Sequence, residues 1–187
     1  MALDRIAIAT MPGATLRLPE PGDAVSLAHG FTANRAALDR WNPAPPDDFY
    51  TEDGQAENIR QMRLGYDKGA LLPLLIIRDG RIVGDVSLFQ IIRGPLQCAT
   101  LGYWVDADEQ GRGIATAAVG TMLDLAGSLL RLHRIEAGVS PGNPASQRVL
   151  EKCGFNRIGL APRYLFAAGN WQDQMLYQRV LGDVPSG

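Results

Sequence analysis

The stretch from residue 99 to residue 130 constrains the fold more than any other part of the sequence. An apolar strand over residues 99–105 runs into an acidic loop and then into a turn that carries Gly111 and Gly113. From residue 113 to residue 130, apolar side chains recur three and four positions apart, which is the pattern of an amphipathic helix. The order of strand, glycine turn and helix predicts a helix N-terminus that a second group can approach closely.

The N-terminus of that helix is predicted to bind an anion. Its free N–H groups and the positive end of its dipole point towards the glycine turn, and a phosphate or pyrophosphate is the usual ligand of such a site. The alternative is a tight glycine turn that binds nothing. Two familiar phosphate motifs are excluded, because the sequence has no Gly-Lys-Ser/Thr and no Gly-x-Gly-x-x-Gly with a later acidic residue.

Hydrophobic periodicity and turn residues divide the rest of the chain into helices and strands. Two helices are predicted over residues 24–38 and 52–67, the second capped by Thr51. Asp79-Gly80 predicts a tight hairpin. Asn143-Pro144 opens a short helix that Gly154 ends. Asn170 is assigned to a turn. The predicted strands are residues 15–18, 71–77, 81–92, 99–105, 134–139, 155–160 and 172–180.

Composition bounds the class of protein. The 187 residues fit a single domain, 1–187, with a core over about 15–181 and loose termini. A formal net charge of −2 argues against a nucleic-acid partner. The lack of an apolar run of about 18 residues argues against a membrane span. Cys98 and Cys153 lie in apolar segments without metal-ligand spacing, which predicts reduced thiols, a cytoplasmic protein and no metal site.

The glycine turn reads Gln-x-x-Gly-x-Ala at Gln110, Gly113 and Ala115, and it resembles the acyl-CoA loop of the GNAT superfamily of N-acetyltransferases. The element order is similar from end to end, over roughly residues 15–181. Within the superfamily, the RimJ/RimL branch of ribosomal-protein alanine and serine N-acetyltransferases resembles the chain most closely. That likeness is carried by residues 16–24, 34–43, 91–103, 133–137, 143–155 and 169–173.

The resemblance implies an α+β (mixed α/β) fold of the GNAT type. Its central, twisted and mostly antiparallel sheet has about seven strands flanked by helices. The sheet is expected to splay between its fourth and fifth strands, which are residues 99–105 and 134–139 here.

The resemblance also implies that acetyl-CoA is the cofactor and that the amine attacks it directly, without an acyl-enzyme. The backbone of Tyr103, Trp104 and Val105 is expected to lie beside the pantetheine arm, with a backbone N–H near Val105 as the oxyanion donor. Asn143 is expected to bind the pantetheine, although it serves equally well as a helix cap alone. The pyrophosphate loop consists of Gln110, Gly111, Arg112, Gly113, Ile114 and Ala115.

Two side chains are assigned to the chemistry. Ser146 is expected to protonate the departing thiolate, because Leu150 occupies the position at which many members of the superfamily carry a tyrosine. Glu136 corresponds to the base of the related RimI enzymes, and its alternative role is a carboxylate in solvent or paired with an arginine. Asp173, Asp85 or a water chain are the other options for the base.

The acceptor site is assigned to Trp41, Phe49, Tyr50 and Asp173. An acidic patch at Asp47, Asp48, Glu52 and Asp53 either attracts a cationic N-terminus or is simply a solvated surface. The expected acceptor is the N-terminal α-amine of a protein of the ribosomal type, and the expected enzyme is a monomer or a homodimer. The alternatives are acetylation of a small-molecule amine or antibiotic, and a non-catalytic module that binds CoA.

Overall fold

The computed structural model describes residues 6–7, 11, 13–167 and 169–182, and the predicted loose termini lie mostly outside these residues. Within the described residues, eight strands form one sheet in the order β1-β2-β3-β4-β5-β6-β8-β7. Strand β1 is a two-residue addition to the seven predicted strands, so the expected sheet is confirmed. The strands are β1 (Ile6–Ala7), β2 (Ala14–Arg17), β3 (Leu72–Arg78), β4 (Arg81–Ile92), β5 (Cys98–Val105), β6 (Arg134–Val139), β7 (Asn156–Ala167) and β8 (Asn170–Val180).

Two of the four helices begin where the sequence predicts them because side-chain caps fix their first turns. The hydroxyl of Thr51 accepts the N–H of Gly54 at 3.1 Å, and the side chain of Asn143 accepts the N–H of Ser146 at 3.1 Å. Three short 3-10 turns, at Pro21–Asp23, Asp47–Tyr50 and Ala107–Glu109, were not predicted. The helices are α1 (Ala24–Asp39), α2 (Glu52–Asp67), α3 (Ile114–Ser128) and α4 (Pro144–Lys152).

Helices cover both faces of the sheet, and β3 shows this most directly. Leu74 and Ile76 belong to the main core, which includes buried residues of α3 and α4. Leu75 and Ile77 point the other way and pack with residues of α1 and α2. A strand buried on both faces reads as a continuous apolar run, as the sequence of β3 does. Cys98 and Cys153 are buried free thiols.

The sheet opens between β5 and β6. Strand β5 pairs with β4 from Cys98 to Val105. Its parallel pairing with β6 is limited to Cys98–Arg134, Ala99–Ile135 and Thr100–Glu136. Beyond Thr100 the two strands diverge, which leaves the backbone of residues 101–105 as an open edge. The predicted splay is thereby confirmed.

The last hairpin is longer than predicted. Strand β7 was expected to end at Leu160 but continues to Ala167, and Asn170 begins β8 instead of lying in a turn. The pairing register shifts between Ala161 and Leu165, where Arg163 adopts a φ of 50°. Because β7 is an edge strand, it accommodates Pro162 without the loss of a hydrogen bond inside the sheet. No helix among the described residues is long and apolar enough to cross a membrane.

Candidate active site

A cleft of about 1200 Å³ lies at the open edge of β5. On one face of the sheet it is lined by Leu38 of α1 and by Trp41, and on the other face by Asn143 and Ser146 at the start of α4. The cleft therefore passes through the sheet where β5 and β6 diverge. Two reactants can enter such a cleft from opposite faces and meet at the strand edge.

The glycine turn forms one end of this cleft. Gly111 and Gly113 adopt φ angles of 76° and 82°, and Gly113 is the N-cap of α3. Only glycine takes this conformation without strain. A Cβ atom at either position would meet nothing within 4 Å, so the space in front of the turn is open.

The first N–H groups of α3 are available to a ligand. Among the described residues, no acceptor takes the N–H groups of Ile114, Ala115 or Thr116, and Ala117 makes the first helical bond, to the carbonyl of Gly113. Gln110 donates from its side chain to the carbonyl of Val105 at 3.2 Å, which fixes the turn against the end of β5. Free N–H groups at a helix N-terminus attract anionic groups.

Arg112 adds a positive charge beside the turn. Its side chain is 55% exposed and lies 3.3 Å from Glu109. Glu109 also binds Arg78 at 2.6 Å, so two guanidinium groups share one carboxylate. Asp106 and Asp108 precede the turn as well, so Arg112 is a cation at the end of an acidic loop.

The hydroxyl of Tyr103 lies 2.7 Å from Oγ of Ser146 and donates to the Ser146 carbonyl at 3.1 Å. Burial raises the pKa of Tyr103 to about 12, so the phenol keeps its proton. The sequence interpretation used only the backbone of Tyr103 and missed this contact. The alternation of Ala99, Leu101 and Tyr103, which share the core face of β5, is the signal that could have placed the ring next to α4.

The segment after β5 is held by a buried side chain that the sequence analysis did not identify. Asn34 of α1 is 4% exposed. Its Oδ1 accepts the N–H of Ala107 at 2.9 Å, and its Nδ2 donates to the carbonyl of Gly30 at 2.9 Å. Asn34 thus connects α1 to the loop that leads into the glycine turn.

The predicted acceptor residues Trp41, Phe49 and Tyr50 lie on the α1 face. Trp41 lines the cleft and packs against the loop between β6 and α4, since a Cβ atom on Gly142 would lie 3.5 Å from its ring. Phe49 meets Phe31 with ring centroids 4.8 Å apart. These contacts place aromatic side chains next to the open strand edge.

A smaller pocket of about 310 Å³ adjoins the cleft on this face. We call it the aromatic pocket; its lining includes Phe31, Phe49, Tyr50, Phe89, Trp104 and the carboxylate of Asp85. Phe89, Tyr103 and Trp104 line both spaces, so the two are continuous. The indole nitrogen of Trp104 donates to Asp85 at 2.5 Å. Burial raises the pKa of Asp85 to about 7, although the indole N–H and the hydroxyl of Ser87 lower it.

The two other carboxylates that were considered for the base lie in different surroundings. Glu136 lines the cleft at the last position of β6 that pairs with β5. It is 45% exposed and lies 3.3 Å from Arg134. Asp173 lines neither the cleft nor the aromatic pocket among the described residues. It accepts the N–H of Arg163 at 2.8 Å, at the irregular part of β7.

The acidic patch is partly compensated by one arginine. Arg35 lies 3.0 Å from Asp47 and 3.4 Å from Asp39, and its guanidinium is 4.2 Å from the centre of the Tyr50 ring. The hydroxyl of Tyr50 donates to Asp39 at 2.8 Å. Asp48 and Asp53 remain exposed.

Comparison with known proteins agrees with this geometry. Residues 14–156 match the family described as acetyltransferase (GNAT) domain. The probable N-acetyltransferase YjcK of Bacillus subtilis (strain 168) is 43% identical over 145 residues, which cover 76% of this chain and 80% of YjcK.

Two solved structures share the whole architecture. Ribosomal-protein-S5-alanine acetyltransferase from Vibrio fischeri superposes with a TM-score of 0.90 at 30% identity, over 94% of this chain and 97% of that one. Mycobacterium smegmatis RimJ in complex with CoA-disulfide superposes with a TM-score of 0.87 at 33% identity, over 93% and 85% of the two chains. The chain described here belongs to the GNAT acetyltransferase family.

Proposed function

We propose that this protein is an acetyl-CoA-dependent N-acetyltransferase that transfers the acetyl group directly to a primary amine, namely the N-terminal α-amine of a protein. One observation carries the proposal: the open edge of β5 ends at a glycine turn and a free helix N-terminus. Acetyl-CoA supplies an activated acyl thioester when it is bound. Its pantetheine arm is an extended chain with amide groups, which suits the open edge of β5. Its pyrophosphate is an anion, which suits the free N-terminus of α3.

In this proposal the backbone of Tyr103, Trp104 and Val105 binds the pantetheine arm, and a backbone N–H near Val105 stabilises the oxyanion. The N–H groups of Ile114 and Ala115, together with the rest of the loop from residue 110 to residue 115, bind the pyrophosphate. The side-chain oxygen of Asn143 caps α4, and its side-chain NH₂ group is available to the pantetheine arm.

Ser146 and Tyr103 together act on the leaving group. Their hydroxyl groups are 2.7 Å apart in the cleft, and burial keeps the phenol of Tyr103 protonated. A proton that Ser146 gives to the thiolate can be replaced by the phenol through this hydrogen bond. Of the three carboxylates considered as the base that takes the proton of the acceptor amine, Glu136 lines the cleft and Asp85 lines the aromatic pocket.

A protein N-terminus is the acceptor that the shape of the site favours. The cleft crosses the sheet and is lined on the α1 face by Trp41, and the exposed Asp48 belongs to the 3-10 turn whose Phe49 and Tyr50 line the aromatic pocket. An extended chain end with a positive charge fits this surface. The V. fischeri neighbour is named a ribosomal-protein-S5-alanine acetyltransferase, and for an acceptor of that kind we propose that the reaction takes place in the cytoplasm.

Binding and transfer are tested separately. Calorimetry with acetyl-CoA and with CoA should give saturable binding with one site per chain. Thiol release should then be fastest with peptides that carry a free N-terminal alanine or serine, compared with N-acetylated peptides, lysine side chains, polyamines and aminoglycosides. A folded protein that binds neither acetyl-CoA nor CoA contradicts the proposal, and preferential turnover of a small amine contradicts its acceptor.

A matched pair of glycine variants locates the cofactor site. Gly113→Ala and Gly69→Ala both place a methyl group at a left-handed residue, with φ of 82° and 68°, and neither new Cβ meets an atom within 4 Å. Both should lose about 1 kcal/mol of stability. Only Gly113→Ala should weaken acetyl-CoA binding, by about tenfold or more, because its methyl group occupies the space of the ligand. Equal affinities of the two variants would place the anion elsewhere.

A further inference from the structure

The aromatic pocket lies on the face of the sheet from which an acceptor would enter. Asp85 of β4 faces Trp104 of β5 across the sheet, and Ser87 faces Gly102. Gly102 has no side chain, and only the ring of Phe89 lies over it, 3.1 Å from where a Cβ atom would be. Phe89 and Gly102 line both the cleft and the aromatic pocket, so they connect the open edge of β5 with the pocket that Asp85 lines.

The lining of the pocket selects the charge of its ligand. The aromatic residues Phe31, Phe49, Tyr50 and Trp104 line a space of about 310 Å³ together with Asp85. Aromatic rings and a carboxylate together attract an ammonium group and disfavour an anion. A volume of this size accommodates one amino-acid residue rather than a folded segment.

Asp85 has only neutral partners. Its hydrogen-bond donors are the indole of Trp104 and the hydroxyl of Ser87, and no lysine, arginine or histidine among the described residues forms an ion pair with it. Its charge is thus available to a cationic ligand. Glu136, by contrast, already has a guanidinium 3.3 Å away and is half exposed, so its charge is already engaged.

The other titratable groups at the pocket come from every element around it. They are Asp39 of α1, Tyr50 of the 3-10 turn and Tyr103 of β5. Arg35 contacts both Asp39 and the ring of Tyr50. Asp39 is bound by Arg35 at 3.4 Å and by the hydroxyl of Tyr50 at 2.8 Å. Asp85 is consequently the carboxylate in the pocket whose charge is not already engaged.

We infer that the aromatic pocket receives the acceptor amine and that the carboxylate of Asp85 accepts its proton, directly or through one water molecule. This inference rests on the proposed acetyl transfer. Burial raises the pKa of Asp85 to about 7, close to the value of about 7.7–8.0 for an N-terminal amine. Proton transfer between groups of similar pKa is efficient near neutral pH.

The step balances as follows. The ammonium gives one proton to Asp85, and the lone pair of the neutral amine forms the C–N bond to the thioester carbonyl. The C–S bond breaks and its electron pair leaves with sulfur. Ser146 protonates the sulfur, and the second proton lost by the nitrogen restores the hydroxyl pair of Ser146 and Tyr103. Asp85 releases its proton to solvent, so the net products are the amide, the thiol and one proton.

The test compares Asp85→Asn with Asp67→Asn, which makes the same change at an exposed residue outside both cavities. An asparagine at residue 85 keeps an oxygen for the indole N–H. We expect kcat/KM for an N-terminal peptide to fall about a hundredfold at pH 7 in Asp85→Asn only, with unchanged acetyl-CoA affinity. In the wild type, kcat/KM should fall on the acid side of about pH 7. In Asp85→Asn this fall should begin at a higher pH, close to the pKa of the amine itself. Acceptors with a less basic amine, such as a fluorinated N-terminal alanine, should recover much of the lost rate.

A second variant keeps the inference testable if Asp85→Asn does not fold. Ser87→Ala removes a donor to the carboxylate and should move the acid limb of kcat/KM to higher pH, because the pKa of Asp85 rises. An active wild type whose pH profile is unchanged by both variants but shifted by Glu136→Gln would overturn the inference and leave the proposed function intact. A wild type that transfers acetyl to no amine would instead refute the proposed function.

Discussion

The two sides of the cleft are built in different ways. The cofactor side consists mainly of backbone: the open edge of β5, the glycine turn and the first N–H groups of α3. The acceptor side consists of side chains that come from α1, the 3-10 turn at Asp47–Tyr50, β4 and β5, and that meet only in the folded protein. A backbone site tolerates sequence change as long as the strand, turn and helix form. A side-chain site changes with each residue.

This difference explains how one scaffold can keep one cofactor and accept different amines. The contacts proposed for acetyl-CoA depend on glycines and on chain direction, which the fold itself fixes. The contacts proposed for the amine depend on Asp85, Trp104 and the aromatic residues around them. Variants on the acceptor side should therefore change acceptor kinetics without changing cofactor affinity, and each prediction below tests that separation.

The largest effect is expected at Gly54, in the first turn of α2. A Cβ atom at this position would lie 1.9 Å from the carbonyl oxygen of Asp48. Gly54→Ala must therefore displace the 3-10 turn that carries Phe49 and Tyr50, at a cost of about 3 kcal/mol. Gln55 donates to the carbonyl of Phe49 at 2.6 Å and is part of the same contact. The free energy of unfolding should fall and the KM for the acceptor peptide should rise, while acetyl-CoA affinity stays the same.

The control for Gly54→Ala is Gly120→Ala, because a Cβ atom on Gly120, inside α3, meets nothing within 4 Å. That variant should gain about 0.5–1 kcal/mol from the higher helix propensity of alanine. A loss of acetyl-CoA affinity in folded Gly54→Ala protein would show that the two sides are not independent.

The next effect concerns the pair of hydroxyl groups. Tyr103→Phe and Ser146→Ala should each lower kcat between tenfold and a hundredfold, about 1.4–2.7 kcal/mol of barrier, with little change in acetyl-CoA affinity. In the double variant, kcat should fall by less than the product of the two single-variant factors, because the two hydroxyl groups act through one hydrogen bond. Tyr66→Phe in α2 is the control and should leave kcat unchanged. Additive losses would mean that Tyr103 and Ser146 act separately.

The same division governs what could be inferred from sequence alone. Local patterns predicted the glycine turn and the cap at Asn143, since each depends on a few adjacent residues, whereas the splay was expected from the resemblance to the GNAT superfamily. The contact between Tyr103 and Ser146 joins residues 43 positions apart, and that of Asn34 with Ala107 joins residues 73 apart, so no local pattern contains them. The carboxylate of Asp173, which was assigned to the acceptor site, accepts the backbone N–H of Arg163 in the irregular part of β7, a contact that no local pattern contains either. The environment of Asp85 likewise required the packing of α1 on the sheet.

Asn34 tests the separation from another direction, because its hydrogen bonds cross from α1 to the loop before the glycine turn. Asn34→Ala leaves the N–H of Ala107 without its acceptor and should cost about 1.5 kcal/mol. If the loop needs this support, acetyl-CoA affinity will fall several-fold, as calorimetry would record. An unchanged affinity would show that the glycine turn holds its geometry without help from the acceptor side.

The smallest effect is the dependence of stability on the ionisation of Asp85. In the folded protein burial raises its pKa to about 7 from an ordinary value of 3.8, so between these pH values the folded state retains a proton that the unfolded chain releases. Its contribution to stability is therefore complete below about pH 4 and is lost as the pH rises to 7. Asp85→Asn should match the wild type at pH 4 and exceed it by about 1 kcal/mol at pH 8, a value reduced for partial exposure to solvent. Denaturant unfolding of both proteins from pH 4 to pH 8 measures the difference in their free energies of unfolding. The ionisation of all other groups contributes equally to both proteins and cancels from this difference. A constant difference across that range would mean that Asp85 is already charged at low pH, and it would then be too weak a base for the role inferred here.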